Sequence, residues 1–145
     1  MPNLEDAILL ALEAHRGQKD KGGEPYILHA LRVMLRMTTE HERSAAVLHD
    51  VVEDAGIGLA DLRREGYPEP IVEAIDCLTR REGESYEAFI TRLEPNPLAR
   101  KVKLADLHDN MDLRRIPDPQ QQDHQRLERY RRAWMELGGG KLPSQ

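Results

Sequence analysis

The sequence predicts an all-α fold, and three observations support this prediction. Apolar residues recur at the three- and four-residue spacing of helices along most of the chain. Capping residues precede several of these segments, and glycine or proline follows them. Almost no stretch alternates apolar and polar residues as a half-buried strand does. A chain of 145 residues is long enough for a real core but short for two domains.

The first two helices are expected in residues 4–16 and 26–37. Asn3 can cap the first helix, because its side-chain oxygen can accept a hydrogen bond from a free backbone N–H. A polar loop that contains glycine, residues 17–25, separates the two helices. The inner face of the first helix is expected to consist of Ile8, Leu9, Ala11 and Leu12.

Residues 43–55 form the third predicted helix, which Gly56 and Gly58 end. A short helical turn near residues 59–65 leads into the next helix, residues 70–79. The apolar residues that recur at helical spacing in that segment are Ile71, Val72, Ala74, Ile75 and Leu78.

Two further helices follow in direct succession. Ser85 resembles a capping signal, and the short helix after it is expected to end near Pro95. Asn96 and Pro97 then begin a helix that runs to about Arg115. Proline is tolerated there because the first turn of a helix leaves its N–H groups unpaired anyway.

Pro117 and Pro119 break that helix, and the last helix is expected in residues 121–137, before three consecutive glycines. Together the helices predict one domain over residues 1–138, and residues 139–145 are expected to be a flexible C-terminal tail.

Composition disfavours several classes of partner. The net charge of −5 argues against broad nucleic-acid binding, which requires a basic face. No segment approaches the roughly 18 apolar residues of a membrane span, and residues 1–6 lack the layout of a signal peptide. The lone Cys77 excludes an internal disulfide and fits a reducing compartment. We therefore expect a cytoplasmic protein that binds neither nucleic acid nor membrane.

Residues 44–54 carry the most informative chemistry of the chain. In a continuous helix of about 100° per residue, His49 lies one turn from Glu53, and Asp50 lies one turn from Asp54. The three carboxylates of this segment therefore lie close together. Such like charges are costly unless a cation holds them, and a divalent metal ion is the simplest candidate. This segment therefore predicts a metal-dependent hydrolase.

His29 and Asp106 are further candidate ligands on the second and sixth predicted helices. Two imidazoles and two carboxylates suit a borderline divalent ion such as Mn²⁺, Fe²⁺, Co²⁺ or Zn²⁺. Four protein ligands leave coordination positions for water and a substrate oxygen. Spacing alone does not show that these helices converge, so an ordinary core histidine at His29 stays an equal alternative.

Four blocks of sequence, residues 14–18, 21–29, 46–54 and 102–106, follow one another in a fixed order. Together they resemble the hydrolase domain of RelA/SpoT homologues, which belongs to the HD superfamily of metal-dependent phosphohydrolases, and the resemblance extends over roughly residues 4–137. It implies an HD-type helical bundle of about six to eight helices. It also implies hydrolysis of (p)ppGpp, with removal of the 3′-pyrophosphate to leave GDP or GTP.

The resemblance also assigns roles to residues. The implied metal ligands are His29, His49, Asp50 and Asp106, with Mn²⁺ as the expected ion. Glu53 and Asp54 correspond to the acidic pair that orients or deprotonates the attacking water. We take Glu53 as the first choice for this role and Asp54 as the second.

Substrate binding is where the chain departs from that family. Asp20 stands where the family has an arginine that packs on guanine, and Leu107 replaces a second arginine. A carboxylate cannot stack on a purine as a guanidinium does, and it repels phosphate. If arginine stacking on guanine matters, Asp20→Arg is expected to improve ppGpp hydrolysis.

Substrate contacts are expected from four other residues, namely Lys21, Tyr26, Lys103 and Asn110. Lys21 keeps the basic position beside Asp20, and Asn110 keeps its family position. Lys103 lies on a helix face similar to that of the predicted ligand Asp106. Tyr26 corresponds to a residue at the pocket edge, and core packing is the alternative.

Three functions are open at this point. The first is (p)ppGpp hydrolysis. The second is the same metal chemistry on another nucleotide phosphate, such as the 2′-phosphate of NADPH, and the two lost arginines favour it. The third is a non-catalytic nucleotide-binding module, which the complete set of ligands disfavours.

Overall fold

The computed structural model describes residues 1–143, and within them the regular elements are helices, apart from one isolated antiparallel bridge between Lys19 and Pro25. The all-α prediction is therefore confirmed. The helix count exceeds the expected six to eight, because the described residues form nine α-helices and one short 3₁₀ helix. The α-helices are α1 (Leu4–His15), α2 (Ile27–Leu35), α3 (Glu40–Val47), α4 (Val51–Ala55), α5 (Leu59–Arg64), α6 (Glu69–Cys77), α7 (Tyr86–Leu93), α8 (Pro97–Asn110) and α9 (Gln121–Glu136), and the 3₁₀ helix is Leu113–Arg115.

Three predicted helix starts lie at their capping residues, whereas α8 ends at Asn110 and not near the predicted Arg115. The Asn3 side chain accepts a hydrogen bond from the Asp6 N–H at 2.9 Å, and the Asp6 carboxylate accepts one from the Asn3 N–H at 2.8 Å. Ser85 and Asn96 each accept a hydrogen bond from the first turn of their helices. Gly56 ends α4 in the left-handed conformation, with φ of 70°.

The prediction that Leu9 and Leu12 lie on the inner face of α1 is wrong. Leu9 is 57% exposed and Leu12 is 39% exposed, whereas Ala7 and Ala11 are fully buried. Small side chains at this spacing let α1 pack closely against α3 and α4, and this contact turns the leucines outward. Ile8, as predicted, packs against the core.

The prediction of one continuous helix over residues 43–55 is also wrong. The structure ends α3 at Val47 and begins α4 at Val51. In a continuous helix the carbonyl of Ala46 would accept a hydrogen bond from the N–H four residues later. It instead accepts from the His49 backbone N–H at 3.3 Å and lies 2.6 Å from the His49 Nδ1. The side chain of His49 thus competes for the helical acceptor, and residues 48–50 form the turn between the two helices.

The core is arranged around α3, which contacts α1, α2, α6 and α8. All of the last turn of α3, from Ser44 to Val47, is buried. On the other side of α8 lies α9, which also contacts α7. Within the part of the chain that the structure describes, no helix has both the length and the apolar character needed to cross a membrane.

The segment after α9 begins with a close contact. The N–H of Gly139 donates to the Trp134 carbonyl at 2.9 Å, and the Trp134 indole N–H donates to the Gly140 carbonyl at 3.2 Å. A Cβ at Gly139 would lie 2.3 Å from the indole ring, so this position requires glycine. The first residues of the predicted flexible tail thus pack against the domain, and residues 144–145 lie outside the described range.

Candidate metal centre and active site

Four side chains from α2, α8 and the turn between α3 and α4 converge at one point. Each of them, His29, His49, Asp50 and Asp106, offers a ligand atom, and these atoms lie within 4.8 Å of one another. The Asp106 Oδ1 lies 2.8 Å from the Nε2 of His29 and 3.3 Å from the Nε2 of His49. The second imidazole also lies 3.0 Å from the Asp50 Oδ2. The four predicted ligands therefore come together in the fold.

Hydrogen bonds behind the cluster orient both imidazoles. The Nδ1 of His29 lies 2.6 Å from a carboxylate oxygen of Asp109, and the Nδ1 of His49 lies 2.6 Å from the Ala46 carbonyl. Since both partners are acceptors, each Nδ1 carries the proton and donates it. Each Nε2 is thus directed at the centre of the cluster, as metal ligation requires.

Asp109 is a site residue that the sequence analysis missed. It is buried, and two guanidinium groups hold it beside His29. The Arg32 Nε donates at 2.7 Å to Oδ1, and Arg115 donates at 3.2 Å to Oδ2. A signal was present, because Asp109 follows Asp106 by three residues and so shares its helix face. Its partner Arg32 lies 77 residues away in sequence, which no local pattern reveals.

The cluster is strongly polarised. Although burial opposes its charged form, the carboxylates of Asp50 and Asp106 raise the pKa of His49 well above its usual value. Burial likewise opposes ionisation of Asp50, but the charge of His49 and their hydrogen bond lower its pKa to about 2. The pKa of Asp106 lies well below its usual range, because Lys103 and both histidines outweigh burial. A tightly packed set of positive imidazoles and carboxylates is an arrangement in which a cation can replace the protons.

This donor set fits a divalent metal ion. Two neutral imidazole nitrogens and two carboxylate oxygens are ligands that divalent transition metals bind. The protein supplies the acceptors that hold both rings in the ligand tautomer, namely the Asp109 carboxylate and the Ala46 carbonyl. The site is thus complete in its ligands and in the groups that orient them.

Tyr26 caps the cluster on the side of the polar loop. Its hydroxyl donates a short hydrogen bond to the Asp50 Oδ2. Its ring lies between the imidazoles of His15 and His29, with centroid distances of 5.0 Å and 5.3 Å. Burial, followed by the charge of Asp50, raises the pKa of Tyr26 far above its ordinary value, so the hydroxyl keeps its proton.

The predicted catalytic acids, Glu53 and Asp54, both lie exposed on α4. Burial of part of its side chain, together with the charges of Asp50 and Asp54, raises the pKa of Glu53. Within residues 1–143, no hydrogen bond fixes the carboxylate of Glu53, whereas Asp54 accepts one at 3.2 Å from Nε2 of Gln18. The two acids therefore differ, because one is free to move and the other is tethered.

A cavity of about 290 Å³ adjoins the cluster. Its lining includes the candidate ligand His29 and the neighbouring Tyr26. Two further predicted substrate contacts, Lys21 and Asn110, line this cavity. Cationic side chains from several elements also face it, although Arg126 pairs with Asp123. The full lining is Lys19, Asp20, Lys21, Gly22, Tyr26, His29, Asn110, Asp112, Leu113, Arg115, Ile116, Asp123, Arg126 and Tyr130.

Lys103, the fourth predicted substrate contact, is not among the residues that line this cavity. Its ammonium nitrogen lies 2.8 Å from the Asp106 Oδ2, with only 12% of the side chain exposed. The same nitrogen lies 5.3 Å from the ring centroid of Phe89 and 5.7 Å from that of Tyr86. Lys103 therefore neutralises the outer oxygen of the candidate ligand Asp106.

Asp20, the acid at the position of the family arginine, is fully engaged inside the protein. Its Oδ2 lies 3.0 Å from an Nη of Arg115. Its Oδ1 accepts hydrogen bonds from the N–H groups of Gly22 at 2.9 Å and Glu24 at 3.0 Å. The negative charge of Asp20 is thus compensated by a neighbouring cation and by two loop amides.

Comparison with known proteins identifies relatives of the chain. No protein-family model matches it. It is 34% identical over 121 residues to a GTP pyrophosphokinase of Streptomyces coelicolor. It is 31% identical over 120 residues to a guanosine-3′,5′-bis(diphosphate) 3′-pyrophosphohydrolase of Aquifex aeolicus. Each alignment covers 74% of the chain but only 14% and 17% of the respective relative, so the chain spans about a sixth of their length.

Further similarity is found in an enzyme of Escherichia coli and in a solved structure. The bifunctional (p)ppGpp synthase/hydrolase SpoT of E. coli is 28% identical over 123 residues. A solved structure of a metazoan ortholog of SpoT superimposes with a TM-score of 0.77 and 23% identity, over 94% of this chain and 85% of that one. At this identity the structural match establishes the fold. The chain is an HD-type domain related to the hydrolase domain of RelA/SpoT homologues.

Proposed function

We propose that the chain is a metal-dependent phosphohydrolase that removes the 3′-pyrophosphate of (p)ppGpp and leaves GDP or GTP. The observation that carries this proposal is the set of four ligand atoms within 4.8 Å, beside a cavity of about 290 Å³. Relatives named as (p)ppGpp hydrolases support the choice of substrate. The predicted cytoplasmic location belongs to the same proposal.

The proposed metal ligands are His29, His49, Asp50 and Asp106, and Mn²⁺ is the proposed ion. A bound divalent ion would lower the pKa of a water molecule and draw charge from the phosphoryl oxygens. The chain's own contribution is to direct both imidazole Nε2 atoms at this point and to exclude solvent behind them, since both rings are buried.

The acids on α4 are proposed to handle the attacking water. Glu53 is the base in this proposal, because its carboxylate is unrestrained and its raised pKa makes it a stronger base than an ordinary carboxylate. Asp54 is proposed to orient the water, since Gln18 holds its carboxylate. This assignment keeps both acids free of the metal.

The cavity is proposed to bind the nucleotide. Lys21 offers a cation at its wall, and Asn110 offers an amide one helical turn after Asp106. Burial is the main cause that lowers the pKa of Lys21, and nearby Arg126 adds to it. Positive charge at this wall suits a polyanionic substrate. Lys103 contributes indirectly, through Asp106.

One observation favours a second substrate class. The loop residue at the family's guanine-stacking position, Asp20, is committed to Arg115 and to loop amides, so it offers no stacking surface. Hydrolysis of another nucleotide phosphate, such as the 2′-phosphate of NADPH, would not require that arginine. The two candidates share the metal centre and differ in how the base is bound.

A substrate panel tests the proposal and separates the candidates. The protein is stripped of metal, supplied with Mn²⁺ and assayed on ppGpp, pppGpp and NADPH. GTP, which has neither a 3′- nor a 2′-phosphate, is the control compound. The proposal expects ppGpp and pppGpp to be hydrolysed with the highest kcat/KM and GTP to be inert. A clear preference for NADPH would show that the substrate is another nucleotide phosphate and not (p)ppGpp. Tight binding without turnover of any nucleotide would indicate a binding module.

A further inference from the structure

Gln18 lies at the base of the polar loop and joins Asp54 to His15, a residue that the proposed mechanism does not use. Its Nε2 lies 3.2 Å from the Asp54 Oδ2, and its Oε1 lies 2.9 Å from the Nδ1 of His15. The imidazole is 2% exposed, whereas the carboxylate lies on the exposed face of α4. The side-chain amide of Gln18 therefore links a buried histidine to a candidate catalytic acid that lies 36 residues after Gln18.

The direction of this link follows from the chemistry of its ends. The carboxylate of Asp54 is an acceptor, so the amide of Gln18 must turn its NH₂ toward it. The amide oxygen then faces His15 and can only accept, which places the imidazole proton on Nδ1. The His15 Nε2 is buried without a partner within the described residues, and an unpaired lone pair costs less there than an unpaired N–H. Each group thus fixes the orientation of the next.

The backbone holds Gln18 in place. Its carbonyl accepts the Tyr26 N–H at 2.8 Å, and its own N–H donates to the His15 carbonyl at 3.0 Å. The hydroxyl of Tyr26 in turn reaches Asp50. The base of the loop therefore touches the proposed metal ligands through Tyr26 and the acidic pair through Gln18. By contrast, α4 has only five residues and supplies little rigidity of its own.

We infer that Gln18, oriented by His15, is a positioning residue that fixes the Asp54 carboxylate for the attacking water. The inference rests on the proposed phosphohydrolase function and adds to it a relay of three residues, none of which is a metal ligand. Glu53, which lacks such a tether, keeps the freedom that proton transfer requires. The relay connects the buried His15 to an exposed acid.

A double-mutant cycle tests this role. Gln18→Met keeps the length of the side chain but removes both hydrogen bonds, and it is expected to lower kcat about tenfold with KM and Mn²⁺ affinity unchanged. In an Asp54→Ala background the same change should cost less than about twofold, because the acceptor of the Gln18 hydrogen bond is already gone. Gln122→Met, at an exposed position of α9, is the matched control and should retain full activity. An equal loss in both backgrounds, or a loss of Mn²⁺ affinity, would overturn the inference.

A second readout does not depend on activity. In the metal-free protein, the ¹⁵N-labelled side-chain amide of Gln18 is followed by NMR. Asp54→Ala and His15→Phe are each expected to shift its resonances and accelerate their exchange with solvent. An unmoved amide would overturn the relay even in an active enzyme. If the amide responds but no nucleotide of the panel is hydrolysed, the proposed function fails and the catalytic meaning of the relay fails with it.

Discussion

The Asp20 Oδ2 lies 3.0 Å from an Nη of Arg115, and the same guanidinium also holds Asp109, the carboxylate behind the candidate ligand His29. Arg115 thereby connects the polar loop to the candidate metal centre through two ion pairs. Only 10% of the Asp20 side chain is exposed, so this ion pair is largely shielded from solvent. Asp20 is thus a structural anchor of the loop.

The anchor reverses the expectation for Asp20→Arg. The new guanidinium would face Arg115 and leave the N–H groups of Gly22 and Glu24 without their acceptor. We expect the free energy of unfolding to fall by about 2 kcal/mol, with no gain in ppGpp hydrolysis. Urea unfolding and a ppGpp assay check both parts.

Glu24→Arg is the matched control, because it makes the same change of charge at an exposed position of the same loop. It should alter unfolding by less than about 0.5 kcal/mol. Faster ppGpp hydrolysis by Asp20→Arg, with stability intact, would show that the loop can release Arg115 and present a stacking side chain.

Loss of a candidate metal ligand should abolish metal binding and activity together. His49→Ala and Asp50→Ala each remove one of the four converging ligand atoms, so Mn²⁺ affinity should fall by well over tenfold. Titration of the Mn²⁺ EPR signal measures this, with circular dichroism as a check of folding. His124→Ala, at an exposed position of α9, should bind Mn²⁺ like the parent. Unchanged Mn²⁺ affinity in both ligand variants would place the metal elsewhere.

Glu53→Gln separates metal binding from turnover. The carboxylate lies outside the ligand cluster, so Mn²⁺ affinity should be retained, while kcat should fall by about a hundredfold because the base is lost. Steady-state kinetics and the EPR titration give both numbers. The exposed Glu73 on α6 provides the control variant, Glu73→Gln, which should be fully active. Normal turnover in Glu53→Gln would transfer the role of base to another group.

Asp109 should tune the metal through His29. Asp109→Ala leaves the Nδ1 of that imidazole without its acceptor, and it also leaves Arg32 without its carboxylate partner. We expect Mn²⁺ affinity to fall by about 10- to 100-fold, the usual effect of losing a group that orients a ligand. Asp109→Asn, which keeps an acceptor, should lose less. The exposed Asp118→Ala is the comparison, and equal affinity in all three variants would refute this role.

Acid should weaken the fold through the pair of Glu84 and Arg92. The hydrogen bond from Arg92 is the main cause that lowers the pKa of Glu84 to about 2. A carboxylate whose pKa is lowered by folding stabilises the protein above its unfolded pKa, near 4.3, and this contribution is lost as the pH falls toward 2. Glu84→Gln should therefore reduce stability at pH 6 and make a smaller difference at pH 2.5. The exposed Glu82→Gln should follow the parent at both values, as denaturant titrations can show.

Much of the fold was predictable because its signals are local. Asn3, Ser85 and Asn96 cap the helices that their spacing predicted, since each capping bond spans only three residues. The break between α3 and α4 was not predictable from propensity. It depends on the bond between the His49 ring and the Ala46 carbonyl, which forms only where the ring is held in the cluster.

The ligand set was predictable for a different reason. His29, His49 and Asp106 lie in motif blocks whose order resembles a known family, although their helices meet only in the fold. The supporting residues were missed because their partners are distant. Arg32 and Asp109 are 77 residues apart, and Arg115 and Asp20 are 95 apart. Spacing reveals which residues share a helix face, but not which faces meet.

The most direct test of the account is hydrolysis of ppGpp by the metal-stripped protein, with and without added Mn²⁺, while GDP and pyrophosphate are measured together. The account predicts that both products appear in equal amounts and only when Mn²⁺ is present. Equal turnover in the presence of a chelator would contradict it, and so would a lack of pyrophosphate release by protein that has bound Mn²⁺.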